Sequence, residues 1–395
     1  MTVDLRALPD KVQLPTPPGK GRWSLVMLLI TLLCSGLVVL FWPGDQSRNS
    51  AWFWCCAVVF PMLSGVLVFA LRLLAYERQY NFAQGWNQSH GQQEHALIRQ
   101  GQRAIAVLAT SYCSPAGNNR LAQALRSGST PLQPVYLPQR LTTLRLSRLP
   151  HPMQQTAGQS GVQRLQGVLQ QVMRGLDEDL LRLKAPVLVR IRHNQLLTDA
   201  EVLAVWHSCA SDDMAVEQVI FATQDDGLFW LDTWLDELGA PALLLSIEIN
   251  LFAEPVAEQA ESVSAVLLAL AERCAGQGPE PSAWIHRPVS MSSQAGSVQD
   301  VLCWGRIENT TSEFFTWQLQ VPDALLSEMN IVMSGTGYPL DSEKCNRLDD
   351  SFGLPASAVG NIAMIIASEQ AVADSQPQLV MLQDATPHWC VVRPA

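Results

Sequence analysis

The sequence predicts two membrane-spanning helices followed by an α/β domain with a mostly parallel sheet, and three observations support this. Two long uncharged runs, Trp23–Trp42 and Ala51–Leu71, lie near the start of the chain. From Pro186 onward, short apolar strands alternate with helical segments. The cysteines outside these runs are widely spaced and form no CxxC pair, which is typical of reduced thiols in a cytosolic domain.

The two uncharged runs predict a membrane hairpin. Each is long enough to cross a hydrocarbon core of about 30 Å as a helix, and residues 43–50 form a short polar turn between them. The alternative, a buried hairpin in a soluble protein, fits their length less well. Pro61 lies within the second run and predicts a kink there. The preceding segment, residues 1–22, is polar and proline-rich and is predicted to be disordered.

Basic residues set the predicted orientation of the hairpin. Lysines and arginines flank its outer ends, at Arg6, Lys11, Lys20, Arg22, Arg72 and Arg78. The turn carries only Arg48, close to Asp45. By the positive-inside rule, both termini are predicted to be cytoplasmic and residues 43–50 periplasmic. The sequence therefore predicts a multi-pass protein of the bacterial inner membrane, in contact with the lipid bilayer.

Residues 72–103 are predicted to be a polar juxtamembrane stalk rich in Gln, Asn and His. His90 and His95 are five residues apart and do not share a helical face, and a zinc site normally needs four convergent ligands. The sequence therefore predicts no metal site, and it contains no motif that predicts a cofactor. The net charge of −10 argues against binding to nucleic acid.

Residues 104–395 are predicted to form the α/β domain. Ala260–Arg273 is ambiguous between helix and strand, whereas a small-residue helix is predicted at Pro355–Ala373. Two regions that end in similar strand and helix units, residues 104–275 and 276–395, suggest an internal repeat. The predicted strands are Ala104–Ala109, Pro186–Ile191, Gln218–Ala222, Ala242–Ile249, Phe314–Val321, Asn330–Met333, Gln378–Leu382 and Trp389–Val392.

Five pieces of this domain, in the same order, resemble the β-ketoacyl synthase branch of the thiolase-like fold. Ala104–Leu125 is similar to the opening strand and SPLGN turn of that family, and Trp234–Leu270 to the segment after its nucleophile helix. Ser334–Asp341 (SGTGYPLD) looks like the HGTGTxxxD loop. Ser351–Ala367 resembles the KSxxGHxxGAAG helix entry, and Gln378–Val392 the terminal hairpin. The resemblance implies a thiolase-like layered α/β domain.

The resemblance also implies three chemical roles, which this sequence leaves unfilled. In the family, a cysteine at a helix N-terminus attacks an acyl thioester and two histidines assist. Ser334 holds the position of the first histidine and Leu354 that of the second. The nucleophile is expected near Thr223–Gly227, where Asp225 stands and no cysteine occurs. Leucine cannot transfer a proton, and an aspartate is a poor substitute for a thiolate. We therefore expect a pseudoenzyme.

A remnant of the family's pocket is expected around these degenerate positions. The residues expected to line it are Gly335, Thr336, Gly337, Asp341, Gly353 and Cys113. Cys113 follows a strand with no histidine nearby in the sequence, so we interpret it as a buried structural thiol rather than a nucleophile.

Three functional hypotheses follow. The first is an adaptor or accessory that binds a protein partner at the inner membrane, with an architecture similar to that of type VI secretion accessory proteins. The second is an enzyme of the condensing type that acts on acyl thioesters. The third is a structural subunit that only oligomerises. Thiolase-like enzymes are commonly dimers paired through the central sheet, so a homodimer through Pro186–Ile249 is an expectation of the resemblance.

Overall fold

The computed structural model describes residues 3–138, 141–149, 161–211, 214–222, 226–237, 239–272, 278–307 and 313–395. Its contacts divide the chain into two compact units, Asp4–Leu97 and Ile98–Ala395. Each unit is described by itself below.

The N-terminal unit is built from apolar helices. These are α1 (Lys20–Leu40), α2 (Ala51–Trp54) and α3 (Phe60–Gly101), with a π-helical turn at Cys55–Val59 that joins α2 to α3. Lys20–Leu40 and Ala51–Gly101 are both long and apolar enough to cross a membrane, with mean hydropathies of 2.5 and 2.3. A third helix that meets the same criterion, Ala356–Asp374, is 72% buried in the fold, so it is a core helix.

Two local features of this unit differ from the sequence prediction. Instead of a simple kink at Pro61, the structure has the π-helical turn directly before it. Proline has no N–H and its ring crowds the carbonyl four residues earlier, and a wider turn relieves both constraints. The polar stalk predicted at residues 72–103 is helical as far as Gly101, because it continues α3 with good helix formers such as Gln, Ala and Arg.

The segment before α1 lies partly along α3, although disorder is predicted for residues 1–22. The Asn87 side chain accepts from the Val12 N–H at 2.9 Å and donates to the Val12 carbonyl at 2.9 Å. The Trp86 indole N–H donates to the Asp10 carbonyl at 3.1 Å. A carboxamide that pairs both backbone groups of one residue acts like a neighbouring strand, and composition alone does not reveal this.

The described residues of the C-terminal unit form thirteen strands. In chain order they are β1 (Ala104–Cys113), β2 (Gln133–Leu137), β3 (Thr142–Leu146), β4 (Val187–His193), β5 (Val216–Phe221), β6 (Leu243–Asn250), β7 (Ser262–Leu270), β8 (Ala283–His286), β9 (Val289–Ser290), β10 (Phe315–Leu319), β11 (Cys345–Arg347), β12 (Gln378–Gln383) and β13 (Pro387–Pro394). β2 and β3 form a separate hairpin. The others form one sheet in the order β11-β10-β12-β13-β8-β1-β7-β6-β4-β5, with β9 paired to β13.

The sheet repeats one topology in its two halves. Numbering the five strands of each half along the chain, both halves have the order third-second-fourth-fifth-first. In both, the second strand is parallel to the third and fourth, and the fifth is antiparallel to its two neighbours. The first strands, β1 and β8, pair antiparallel and join the halves. The sheet is therefore mixed, and the prediction of a mostly parallel sheet is wrong, because the fifth strand of each half returns antiparallel to its neighbours.

The helices pack in layers on this sheet. The described helices of the unit are α4 (Leu121–Arg126), α5 (Gly161–Arg174), α6 (Asp177–Leu180), α7 (Asp199–Cys209), α8 (Phe229–Asp236), α9 (Ala295–Trp304), α10 (Asp323–Gly335), α11 (Leu348–Ser351) and α12 (Val359–Asp374). α8 and α12 share one core with strands of both halves. α5 and α7 cover the outer face of the first half, and α9 and α10 that of the second.

Two stretches of the predicted secondary structure are decided by the fold. Within the ambiguous Ala260–Arg273, residues Ser262–Leu270 form strand β7, which is buried along its whole length between β1 and β6. The predicted strand Asn330–Met333 is wrong, because these residues lie within helix α10. Met329 and Met333 are four apart on one buried helical face, and this spacing outweighs the short apolar run.

Candidate functional site

Five charged residues meet inside the C-terminal unit at the carboxyl end of the first half's parallel strands. Arg190 and Arg192 lie on β4, Glu248 on β6, Asp226 just before α8, and Asp384 in the turn between β12 and β13. We call these five residues the central ion-pair cluster. In α/β folds, ligands bind at this end of the sheet, so it is the place to look for a functional site.

The cluster is buried and largely paired. Nη1 of Arg192 lies 2.7 Å from Oδ2 of Asp384. The Arg190 guanidinium lies 3.5 Å from Oε1 of Glu248 and 3.6 Å from Oδ1 of Asp226, and it stacks over the Trp230 ring at 4.5 Å. Arg190, Arg192 and Glu248 are each at most 5% exposed. Charges this deeply buried require partners, and here they supply each other.

The start of helix α8 is capped from within the protein. Leu228 precedes the helix and has no side-chain hydrogen bond to it. Instead, the Gly227 N–H donates to Oδ2 of Asp384 at 2.9 Å, and the Leu228 N–H donates to Nε2 of His388 at 2.9 Å. Gly227 has a φ of +56°, and a Cβ there would lie 2.5 Å from the His388 ring. These two backbone donors before the start of α8 are therefore occupied.

His388 is held in one neutral form. Its Nδ1 contacts the Thr386 carbonyl at 2.9 Å and therefore carries the hydrogen, which leaves Nε2 as the acceptor for Leu228. The ring packs on Phe229 with centroids 4.3 Å apart. Burial lowers the pKa of His388 to about 4, so the neutral ring persists well below neutral pH.

Helix α12 closes the other side of the cluster. The Asn361 N–H donates to Oε2 of Glu248 at 2.7 Å. A Cβ at Gly360 would lie 2.9 Å from Oε1 of Glu248 and 3.0 Å from the Gly227 carbonyl, so only glycine permits this approach. Burial raises the pKa of Glu248, opposed by the nearby Arg192 and Arg190. Burial likewise raises the pKa of Asp226.

The SGTG segment lies elsewhere and has a structural role. Ser334 and Gly335 are the last residues of α10, and both are exposed. The Gly337 N–H donates to the Ser334 carbonyl and the Tyr338 N–H to the Met333 carbonyl, which is a Schellman helix end with Gly337 at a φ of +87°. The Thr336 hydroxyl donates to the Met333 carbonyl. The predicted loop after a strand is wrong here, because the segment ends a helix.

The other predicted positions have backbone or packing roles. The Asp341 carboxylate accepts from the Glu343 N–H and caps a 3₁₀ turn. Leu354 pairs through its backbone with Glu258 and Ala260, and the buried Gly353 precedes it. Burial raises the pKa of the Cys113 thiol to about 11, which makes it a weak nucleophile. Asp225 lies outside the described residues.

Of the five cluster members, only Asp226 lies in a stretch singled out from the sequence, Thr223–Gly227, although the sequence carries a signal for three of the others. Arg190 and Arg192 interrupt an apolar strand, PVLVRIRH, and Glu248 interrupts LLLSIEIN. Charged residues inside a strand buried on both faces must be paired, so such interruptions indicate a buried polar site. Asp384, in a turn far along the chain, gives no comparable signal. In the described ranges, no group of three or more His, Cys, Asp or Glu side chains is arranged to hold a metal ion.

Solved structures of ketosynthases have an architecture similar to that of this chain. A ketosynthase of the bacillaene synthase from Bacillus amyloliquefaciens FZB42 is 10% identical with a TM-score of 0.52, over 75% of this chain and 77% of that one. Ketosynthase twelve of the bacillaene polyketide synthase from Bacillus amyloliquefaciens is 12% identical with a TM-score of 0.53, over 75% and 74%. A β-ketoacyl synthase from Burkholderia phymatum STM815 is 10% identical with a TM-score of 0.52, over 74% and 100%.

The domain has the thiolase-like fold of the ketosynthases. The resemblance predicted from the sequence is therefore confirmed at the level of the fold, and identities this low establish nothing about its chemistry. No protein-family model matches the chain. No curated protein matches it either.

Proposed function

We propose that this chain is a membrane-anchored, catalytically inactive member of the ketosynthase-fold proteins that acts by binding a protein partner. The proposal rests on one observation above all, the internal capping of helix α8. A condensing enzyme needs free backbone donors for the thioester oxygen at such a helix start. Here Asp384 and His388 already accept from the Gly227 and Leu228 N–H groups.

The surrounding residues support the same proposal. The stretch Thr223–Gly227 contains no cysteine, and the buried thiols Cys113 and Cys390 have pKa values raised to about 11 and about 12 by burial. The ion pairs of the central cluster stabilise the interface between α8, α12 and the sheet without leaving a nucleophile there. A large domain of this kind, held at a membrane, offers a surface to which a protein partner can bind.

We expect no turnover from the purified chain. Full-length protein in mild detergent is incubated with malonyl and acyl thioesters, and thiol release and decarboxylation are measured against a known ketosynthase. The expected rate equals the protein-free blank. The competing proposal, an enzyme of the condensing type, is compatible with the ketosynthase fold. It predicts thioester consumption that Cys113→Ala or Ser334→Ala abolishes, and that result would overturn the proposal.

If the chain is an adaptor, we expect it to bind a protein partner in a fixed stoichiometry. The tagged chain is purified from gently solubilised native membranes and the co-eluting proteins are identified by mass spectrometry. A secretion-system component or its effector would place the adaptor in secretion, with type VI secretion as the narrower form of the proposal. That narrower form rests on architecture alone.

A structural, self-associating subunit is the third candidate. Strand β5 lies at the end of the sheet and pairs only with β4 among the described strands. An exposed strand edge offers unpaired backbone groups to a second copy, so a homodimer through Pro186–Ile249 remains a proposal. The mass of the full-length particle in mild detergent distinguishes a dimer without a partner from a complex with one.

We further propose that α1 and the helix from Ala51 form a hairpin in the bacterial inner membrane with both termini cytoplasmic. In intact cells with a permeabilised outer membrane, a membrane-impermeant maleimide is expected to label Ser47→Cys. The matched control Ser89→Cys, on the exposed polar part of α3, is expected to stay unlabelled until the inner membrane is opened. The reverse pattern would contradict the proposed orientation.

A further inference from the structure

A basic pocket lies at the opposite end of the central strands from the central ion-pair cluster. It measures about 550 Å³ and lies among Gln102, Ala104, Glu272, Trp284 and Pro394. These residues surround the start of β1 and the ends of β7, β8 and β13. The end of β7 pairs with the beginning of β6, whereas Glu248 lies near the carboxyl end of β6. The pocket therefore belongs to a different site, which we call the arginine pocket.

Positive charge dominates the arginine pocket. Its lining includes Arg99, Arg103, Arg306 and Arg393, and among the described residues that line it Glu272 is the only carboxylate. Arg103 is neutralised, since it lies 2.9 Å from Glu272 and 3.7 Å from Asp236. In the part of the chain that the structure describes, the other three arginines form no ion pair and no side-chain hydrogen bond. Three unpaired guanidinium groups around one cavity indicate an anionic ligand.

A buried histidine in the lining indicates a second property of the ligand. His286 lines the pocket and is only 4% exposed, and its Nδ1 has no hydrogen-bond partner in the described residues. Burial, with Arg393 and Arg306 nearby, lowers the pKa of His286 to about 3, so the ring is neutral. With its hydrogen on Nε2, Nδ1 is an unused acceptor, and a ligand hydroxyl is the group that would satisfy it.

The pocket has a fixed frame on the side of α3. Gly101, the last residue of α3, lies against the Trp304 ring so closely that any Cβ would clash with it. The Gln102 side chain donates to the Cys303 carbonyl at 3.0 Å. These contacts lock the backbone between Arg99 and Arg103 onto the end of α9, next to Arg306. A preorganised set of donors loses less entropy when an anion binds.

We propose that the arginine pocket binds a phosphorylated polyol, with its phosphate against Arg99, Arg306 and Arg393 and a hydroxyl donating to Nδ1 of His286. A volume of about 550 Å³ is in the range of small-molecule sites. The same chemistry occurs in a soluble sugar phosphate and in the headgroup of a glycerol-bearing phospholipid. The site is separate from the central ion-pair cluster and does not depend on the function proposed above.

The test uses calorimetric titration of the full-length chain in an uncharged detergent, with glycerol 3-phosphate and sulfate as probes. Sulfate carries charge without a hydroxyl. We expect saturable binding that is at least about tenfold tighter for glycerol 3-phosphate than for sulfate. The double variant Arg306→Gln, Arg393→Gln is expected to weaken both by at least about tenfold. The control Arg182→Gln removes an exposed arginine that does not line the pocket and is expected to change neither.

The variant His286→Leu tests whether the hydroxyl contact contributes to binding beyond the attraction between the anion and the arginines. We expect this variant to bind sulfate as before and to lose the preference for glycerol 3-phosphate. Its thermal unfolding is compared with that of wild type, and His286→Gln, which restores an acceptor, is expected to recover part of the preference. Absence of saturable binding, equal weakening by Arg182→Gln, or a preference that persists in His286→Leu would overturn the proposal.

Lipid nanodiscs distinguish the two sources of the ligand. The titration is repeated in phosphatidylcholine with and without phosphatidylglycerol. If a lipid headgroup occupies the pocket, glycerol 3-phosphate binds more weakly in the discs that contain phosphatidylglycerol. This difference between the two kinds of disc is then absent in the double variant. An unchanged affinity supports the pocket with a soluble ligand.

Discussion

Replacement of Asp384 by alanine is expected to lower the free energy of unfolding of the domain by about 3–5 kcal/mol. Asp384 lies 2.7 Å from Arg192, whose side chain is 4% exposed, and it also accepts from the Gly227 N–H at the start of α8. The substitution leaves a buried guanidinium without this carboxylate and a helix start without one of its two caps. The loss of a partner of a buried charge is among the most destabilising single changes.

Asp374→Ala provides the matched control for Asp384→Ala. Asp374 pairs with Arg126 at 2.8 Å, a similar distance, but both side chains are about a third exposed. A surface pair of this kind contributes at most about 1 kcal/mol. Denaturant unfolding of the full-length chain in detergent, followed by near-ultraviolet circular dichroism, measures both variants. Equal stability losses in the two would show that burial does not govern the central cluster.

Acidification from pH 6.5 to 4 is expected to destabilise the domain, in part through His388. The unfolded ring titrates near pH 6.5, whereas in the fold burial lowers the pKa of His388 to about 4. The unfolded state therefore binds the proton first as the pH falls. The stabilising contribution is complete above pH 6.5 and disappears through this window. At 1.36 kcal/mol per pKa unit, it is on the order of 3 kcal/mol.

The pH dependence of His388→Gln tests this assignment. Glutamine retains an acceptor but does not titrate, so the acid loss of stability between pH 6.5 and 4 is expected to shrink by the His388 contribution. His207→Gln, at an exposed position of α7, is the control and is expected to leave the slope unchanged. The lowered pKa of His286, to about 3, acts in the same direction and is common to all three proteins. An unchanged slope in His388→Gln would refute the role given to this ring.

The central cluster also explains how the region around the start of α8 is held together in this ketosynthase fold. An enzyme keeps unsatisfied donors and a reactive group at the helix start, and such sites cost stability. In this chain, Asp384 and His388 satisfy those donors, and Arg190 and Arg192 pair with the nearby carboxylates. The interface between α8 and α12 is thereby closed with hydrogen bonds and ion pairs.

The sequence by itself determined what depends on local pattern. Apolar length predicts the candidate spans, which the structure shows as α1 and the helix from Ala51. Alternating strands and helices predict the α/β core, and the order of weak motifs predicts the ketosynthase fold, including the turn after β1 and the final hairpin of β12 and β13. These features rely on hydrophobic periodicity and on chain order, which survive when identity falls near 10%.

Only the tertiary structure decided which residues meet. The SGTG segment resembles a catalytic loop in its sequence. However, buried methionines four residues apart favour a helix, so α10 continues as far as Gly335, and Gly337 follows in the left-handed conformation that ends it. Conversely, Asp384 and His388 cap α8 from a hairpin more than 150 residues later in the chain. A contact at that separation depends on the packing of the whole sheet. No local pattern encodes it, because its energy arises only when the backbone donors and their side-chain acceptors have already left water.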